Sequence, residues 1–130
     1  MINELAKEIH QNAINKGFFE GKKNIGEMLC LIHSEVSEAL EADRIGNNNS
    51  KEKYFKELEW FNWDKESVGY KNKEKEIFAS KVKNSFEDEL ADIMIRVMDL
   101  AIFKNIDLEW HIKMKMEYNA NRPHKHGKKY

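Results

Sequence analysis

The sequence predicts an all-α protein, and three observations indicate it. Apolar residues recur at intervals of three and four along most of the chain, which is the spacing of one helix face. Glycines that can end helices follow two of these segments, at Gly17 and Gly46. Residues that can cap helix N-termini precede others, with Asn24 before the second segment and Asp107 before the last.

These signals predict four longer helices, and the helical signal is weaker in the centre of the chain. The predicted long helices cover residues 2–16, 24–45, 84–105 and 108–119. Residues 47–83 form a variable connection, in which we expect a short helix around the aromatic residues 54–63, a turn at 67–72 and a helix at 74–82. Pro123 prevents the last helix from continuing, and residues 122–130 form a basic tail that alone should be disordered.

Length and composition narrow the classes of protein. The 130 residues (15.4 kDa) fit a single domain. The formal net charge of -1 argues against a dedicated nucleic-acid binder, although the basic tail leaves weak binding open. The N-terminal residues contain no long apolar run, so we expect neither a signal peptide nor a membrane span, and a cytoplasmic location. Cys30 is the only cysteine, and its neighbours Leu29 and Leu31 suggest a buried thiol.

Two of the predicted helices each carry a pair of carboxylates three residues apart. Glu35 and Glu38 lie in the second helix, and Glu89 and Asp92 lie in the third. At roughly 100° per residue, each pair lies about 70° to 140° to the same side of its helix's apolar stripe. If the stripes pack against each other, only an antiparallel arrangement brings the two pairs to the same side.

Four carboxylates that converge in this way repel one another, and a hard cation such as Mg²⁺ would relieve the repulsion. Carboxylates beside an apolar stripe are nevertheless common on helices that bind nothing. The spacing alone therefore leaves a metal site and a solvated helix face as equal alternatives.

Two other features have alternative interpretations. The aromatic residues of 54–63 could stack a base, but packing in a core or interface is the more common role of aromatic residues at helical spacing. His10 could face a ligand, although we expect a surface histidine.

The motifs together resemble a known family. EVSEALE at 35–41, EDELADIMIRVMDLA at 87–101 and KMEYNANRPHKHGKK at 115–129 are similar to the MazG-like branch of the all-α nucleoside triphosphate pyrophosphohydrolases, whose pattern is ExxE, a spacer and ExxD. The resemblance covers nearly the whole chain except 47–83, which is longer than the usual connection. It implies a MazG-like helical bundle with antiparallel metal-binding helices, whose core is completed by dimerisation into a homodimer or a dimer of dimers.

The resemblance also implies an activity. A nucleoside triphosphate, deoxynucleotides included, would be hydrolysed to the monophosphate and pyrophosphate. Mg²⁺, with Mn²⁺ as a possible substitute, would be held by four acids, of which Glu38 is our choice of general base because it lies further from the apolar stripe. The residues expected to contact phosphate or sugar are Lys115, Asn119 and Arg122.

Two alternatives stay open at this point. A hydrolase of the same fold could act on another pyrophosphate-linked compound, such as phosphoribosyl-ATP or a damaged nucleotide. The chain could instead be a non-catalytic helical binding or regulatory module. A di-iron carboxylate protein is disfavoured, because neither acid-bearing helix has the Glu-x-x-His pairing that such bundles use.

Overall fold

A computed structural model describes residues 1–130 and contains helices and turns but no strands, so the all-α prediction is confirmed. The α-helices are α1 Ile2–Asn15, α2 Ile25–Arg44, α3 Lys51–Glu59, α4 Val68–Ile77, α5 Phe86–Phe103 and α6 Leu108–Ala120. A π-helical turn, Phe78–Val82, follows α4, and a 3₁₀ turn, His124–Gly127, lies in the basic tail. None of these helices has both the length and the apolar content needed to span a lipid bilayer.

The chain divides into two compact units. The terminal unit consists of residues 1–25 and 95–130, and the middle unit consists of residues 26–94.

In the terminal unit, Asn3 of α1 forms hydrogen bonds with residues at the start of α6. The Asn3 side chain donates a hydrogen bond to Asp107 Oδ1 (2.7 Å) and accepts one from the backbone N–H of Glu109 (3.2 Å). Asp107 also caps α6, because its carboxylate accepts a hydrogen bond from the Trp110 N–H (3.0 Å). Hydrogen bonds lower the pKa of Glu109 to about 2. The bond from Lys113 has the largest effect, and the bond from the N-terminal amine has the second largest.

His10 is largely covered by other residues of the terminal unit. Its Nδ1 lies 2.7 Å from Asp99 Oδ1, and its side chain is only 17 % exposed. The ring of Phe19 meets His10 edge-on with centroids 4.6 Å apart, and Phe19 in turn lies against Phe103. The expectation of a surface histidine is therefore wrong, because the carboxylate and the aromatic ring together cover the imidazole.

In the middle unit, the connection 47–83 builds a small core of its own. Leu58, Tyr70 and Ile77 are buried, and Tyr54 and Phe61 pack against them. Packing is thus confirmed for these aromatic residues. The other aromatic residues of 54–63 lie outside this core: Phe55, Trp63 and Trp60 are 45 %, 51 % and 83 % exposed.

The predicted turn at 67–72 is wrong. Ser67 is an N-cap whose hydroxyl accepts a hydrogen bond from the Tyr70 N–H (3.1 Å), so α4 begins at Val68. Ser50 caps α3 in the same way through the Lys53 N–H (3.2 Å). Both connections end in a serine that satisfies an otherwise unpaired amide, which fixes where each short helix starts.

We expect Asn3→Ala to lower the free energy of unfolding by about 1–2 kcal/mol, because it leaves Asp107 and the Glu109 N–H without their shared partner. Urea titration measures the change. Asn12→Ala, on the exposed side of the same helix, makes the same substitution without losing a side-chain bond and is the control. Equal effects of the two substitutions would contradict the role of Asn3.

Candidate metal centre

Helices α2 and α5 run antiparallel where they meet in the middle unit. Just beyond the end of α2, Asn47 Nδ2 donates to the Asn84 carbonyl (2.8 Å), and the N–H of Phe86, the first residue of α5, donates to the Asn47 carbonyl (2.9 Å). Further back along α2 and further forward along α5, Glu35 and Glu38 lie beside Glu89. The direction predicted from the acid spacing is therefore confirmed.

The rotation of the two helices differs from the prediction. Glu35 and Glu89 are buried, at 5 % and 3 % exposure, whereas Val36 and Leu90 beside them are 48 % and 45 % exposed. The acids thus occupy the packed face, and part of the apolar stripe faces solvent. The expectation that both acid pairs flank the packed face is wrong for Glu35 and Glu89.

The small residues on α2 give a physical reason for this rotation. Ala39 and Ala42 are buried on the same face as Glu35, at spacings of four and three residues. Short side chains leave room beside them for the longer glutamate. Cys30 lies away from this face and is exposed, so the prediction of a buried thiol is also wrong.

Three of the four predicted acids form one group. Carboxylate oxygens of Glu35, Glu38 and Glu89 all lie within 4.8 Å of one another. Glu38 is the exposed member, in keeping with the expectation that it lies nearest to solvent. Asp92 is one turn beyond Glu89 and half-buried; it is outside the 4.8 Å group, but its charge acts on Glu89.

The surroundings of Glu89 disfavour its ionised form. Burial raises the pKa of its carboxyl group, and the nearby charges of Glu38, Asp92 and Glu35 raise it further. Its Oε2 atom is buried and has no hydrogen-bond partner. A buried carboxylate oxygen without a donor is unusual, because desolvation is then uncompensated.

The donor set fits Mg²⁺. Mg²⁺ takes oxygen ligands at about 2.1 Å, so two ligands on opposite sides of the ion are about 4.2 Å apart. The 4.8 Å group therefore needs side-chain shifts of less than about 1 Å to reach that geometry. An ion there would also give Glu89 Oε2 the partner that the protein does not supply.

The predicted substrate contacts lie in the terminal unit. Lys115 Nζ and the Arg122 guanidinium both lie over the ring of Tyr118, at 5.1 and 5.6 Å from its centroid. Arg122 also donates to the His126 carbonyl (3.3 Å). Asn119 is half-buried, and its Oδ1 is buried without a hydrogen-bond partner.

Asn49 is a structural residue of the middle unit that the sequence did not reveal. Its N–H donates to Glu87 Oε2 (2.8 Å), and its side-chain amide donates to the Lys81 carbonyl. The bond from Asn49 is the main reason why the pKa of Glu87 is lowered. The run Asn47–Ser50 had the composition of an ordinary polar loop, so no signal distinguished Asn49 from its neighbours.

In the absence of divalent cations, we expect Glu89→Gln to raise the melting temperature by about 2–5 °C at pH 7, because glutamine does not ionise and so avoids the penalty that burial and the neighbouring acids place on a carboxylate there. Mg²⁺ should raise the melting temperature of the original protein and have little effect on the variant. Differential scanning fluorimetry with EDTA or MgCl₂ measures both, and Glu41→Gln, an exposed acid on α2, is the control.

The gain from Glu89→Gln should depend on pH. Below the ordinary carboxyl pKa, Glu89 is protonated in both the folded and the unfolded chain and carries no penalty. As the pH rises from the ordinary carboxyl pKa through the raised pKa of the folded state, the unfolded chain ionises more readily than the folded chain, so the original protein loses stability and the advantage of the variant grows. An advantage that stays constant or shrinks over this range would contradict the assigned cause.

Comparisons of the chain with protein-family models, with curated proteins and with solved structures found no match. The resemblance carried by the ExxE and ExxD motifs therefore stays a prediction. The acid cluster of the middle unit is the observation that bears on function.

Proposed function

We propose that the protein is a Mg²⁺-dependent nucleoside triphosphate pyrophosphohydrolase, which converts a nucleotide to its monophosphate and pyrophosphate. The observation that carries the proposal is the group of Glu35, Glu38 and Glu89, with the unpartnered buried oxygen of Glu89. Buried like charges are costly to retain, and a site that binds a cation makes use of them. The motif resemblance supplies the class of substrate.

Glu35 and Glu89 would hold the ion from the packed face, and Asp92 would support it from the next turn. When bound, Mg²⁺ supplies positive charge next to the phosphates and to the departing pyrophosphate. Mn²⁺ has similar ligand preferences and could replace it.

Glu38 has the position that a general base requires. It belongs to the acid group but is exposed, so both water and substrate can reach it. In the proposed reaction, Glu38 accepts a proton from a water molecule as the water oxygen attacks the α-phosphorus. The bond from the α-phosphorus to the bridging oxygen breaks, and that oxygen leaves with pyrophosphate.

The motif resemblance assigns Lys115, Asn119 and Arg122 to substrate binding, and each carries a group suited to that role. Lys115 and Arg122 offer positive charge, and the planar guanidinium can hold a phosphate through two hydrogen bonds. Asn119 has an acceptor oxygen without a partner, which suits a sugar hydroxyl. Since nucleoside triphosphates and Mg²⁺ are abundant in the cytoplasm, we place the reaction there.

The activity test is a panel of canonical and modified nucleotides incubated with Mg²⁺ and analysed for products. We expect monophosphate and pyrophosphate, and Glu38→Gln should lower kcat by about 100-fold or more because the base is lost. Glu41→Gln, an exposed acid on the same helix, should keep full activity.

Other outcomes identify the alternatives. Turnover of phosphoribosyl-ATP or damaged nucleotides alone would place the chain among hydrolases of other pyrophosphate-linked compounds. No turnover of any compound, together with no effect of Mg²⁺ on stability, would indicate a binding or regulatory module. Diphosphate and orthophosphate as products would contradict attack at the α-phosphorus.

We also propose that two copies of the chain associate through α2. Leu29, Val36 and Leu40 form an apolar stripe on α2, and each is about half exposed. Spacings of seven and four residues keep them on one helix face, which is the pattern of a helix that packs against another helix. A second copy presents the same stripe and would cover it symmetrically.

We expect Leu40→Lys to raise the dissociation constant of the dimer by at least about 10-fold, because it places a charge in the apolar contact. Size-exclusion chromatography with light scattering over a range of concentrations measures it. Val68→Lys, at an exposed apolar position of α4, is the control. A monomer at all concentrations, or equal effects of both substitutions, would contradict the interface.

A further inference from the structure

A basic pocket lies in the middle unit. It has a volume of about 430 Å³ and is lined by Asn48, Asn49, Lys53, Lys56, Glu57, Trp60 and Lys81. We name it the Trp60 pocket. Its size is within the range of about 300–1,000 Å³ that small-molecule sites occupy.

The residues of α3, and the two that follow it, lie either at this pocket or in the small core. Lys53, Lys56, Glu57 and Trp60 follow one another at spacings of three, one and three residues, so they share one side of the helix. Tyr54, Leu58 and Phe61 lie about 100° around the helix axis from these residues, in the small core. The packing of this neighbouring side therefore holds the pocket side of α3 in position.

Hydrogen bonds also hold the part of the pocket that α3 does not form. Asn49 is buried and bonded to Glu87 and to the carbonyl of Lys81, so the loop after α2 and the π-helical turn are joined there. Three separate segments thus meet around one cavity. A pocket built on these contacts keeps its shape without a ligand, which lowers the entropic cost of binding.

The charges of the pocket favour an anion. Three lysines line it against one glutamate. Lys53 lies near enough to Glu87 to help lower the pKa of that carboxyl, after the hydrogen bond from Asn49. Lys56 and Lys81 take part in none of the chain's salt bridges, so their ammonium groups are available to a ligand.

Trp60 adds a flat apolar surface at the pocket. Its indole is 83 % exposed, although other aromatic residues of the same segment are packed in the core. An exposed tryptophan beside lysines provides both a surface for stacking a ring and charges for binding phosphate. Glu57 supplies an acceptor for an amino group on such a ring.

We propose that the Trp60 pocket binds a nucleoside monophosphate, with the base on Trp60 and the phosphate on Lys56 and Lys81. The inference does not depend on the proposed catalytic function. A free nucleotide fits better than a nucleic-acid strand, because the lysines line a cavity of small-molecule size and the chain as a whole has a net charge of -1.

The test is calorimetric titration of the full chain with AMP and GMP in EDTA, so that no divalent cation is available to the acid cluster. We expect at least one monophosphate to bind, with inorganic phosphate and adenosine each at least about 10-fold weaker because each lacks one half of the recognised ligand. Trp60→Ala and Lys81→Ala should each weaken binding by about 10-fold. Lys65→Ala, an exposed lysine outside the pocket, should have no effect.

Further titrations separate this pocket from the acid cluster and from a nucleic-acid site. Glu89→Gln should bind the monophosphate with unchanged affinity, even if the proposed hydrolysis is absent or lost. Failure of both monophosphates to bind, or equal affinity in the Trp60→Ala, Lys81→Ala and original proteins, would overturn the proposal. Tight binding of oligonucleotides but not of monophosphates would overturn it in favour of a single-strand site.

Discussion

The repulsion among buried carboxylates is the constraint on which the middle unit depends. Glu35 and Glu89 are among the most buried side chains of the protein, and the oxygens of their cluster lie within 4.8 Å of one another. Folding has to hold these charges together against their mutual repulsion and their loss of water. An antiparallel pair of helices, hydrogen-bonded where α2 ends and α5 begins, supplies that restraint.

The same constraint explains why several large apolar residues of α2 are exposed to solvent. Because α2 turns Glu35 inward, Leu29, Val36 and Leu40 turn outward and are about half exposed. Burying a leucine is worth roughly 1.5–3 kcal/mol, so leaving this stripe in water forgoes stability that another rotation would provide. A bound ion would offset the repulsion among the buried acids, and a second copy of the chain would cover the exposed apolar stripe of α2. The two proposals are therefore connected.

The sequence predicted the positions of the helices better than their rotation. The acid spacing indicated the antiparallel sense and three of the four acids that were expected to converge, with Asp92 outside the group, because these features depend mainly on helix geometry. The rotation was wrong because the large residues of the apolar stripe were assumed to lie on the packed face of α2, whereas the small residues Ala39 and Ala42 lie there. The role of Asn49 was not predictable, since it depends on contacts between segments that are distant in sequence and leaves no periodic signal. Base stacking by the aromatic residues 54–63 was an alternative that the sequence left open, but no signal distinguished Trp60 among them.

The binding of a divalent ion by the acid cluster is the central claim, and anomalous diffraction from crystals grown with MnCl₂ tests it most directly. The account predicts an anomalous peak about 2.1–2.2 Å from oxygens of Glu35, Glu38 and Glu89, which is absent from crystals of Glu89→Gln. No peak at this cluster at saturating Mn²⁺ and nucleotide, or a peak that persists there unchanged in the variant, would contradict it.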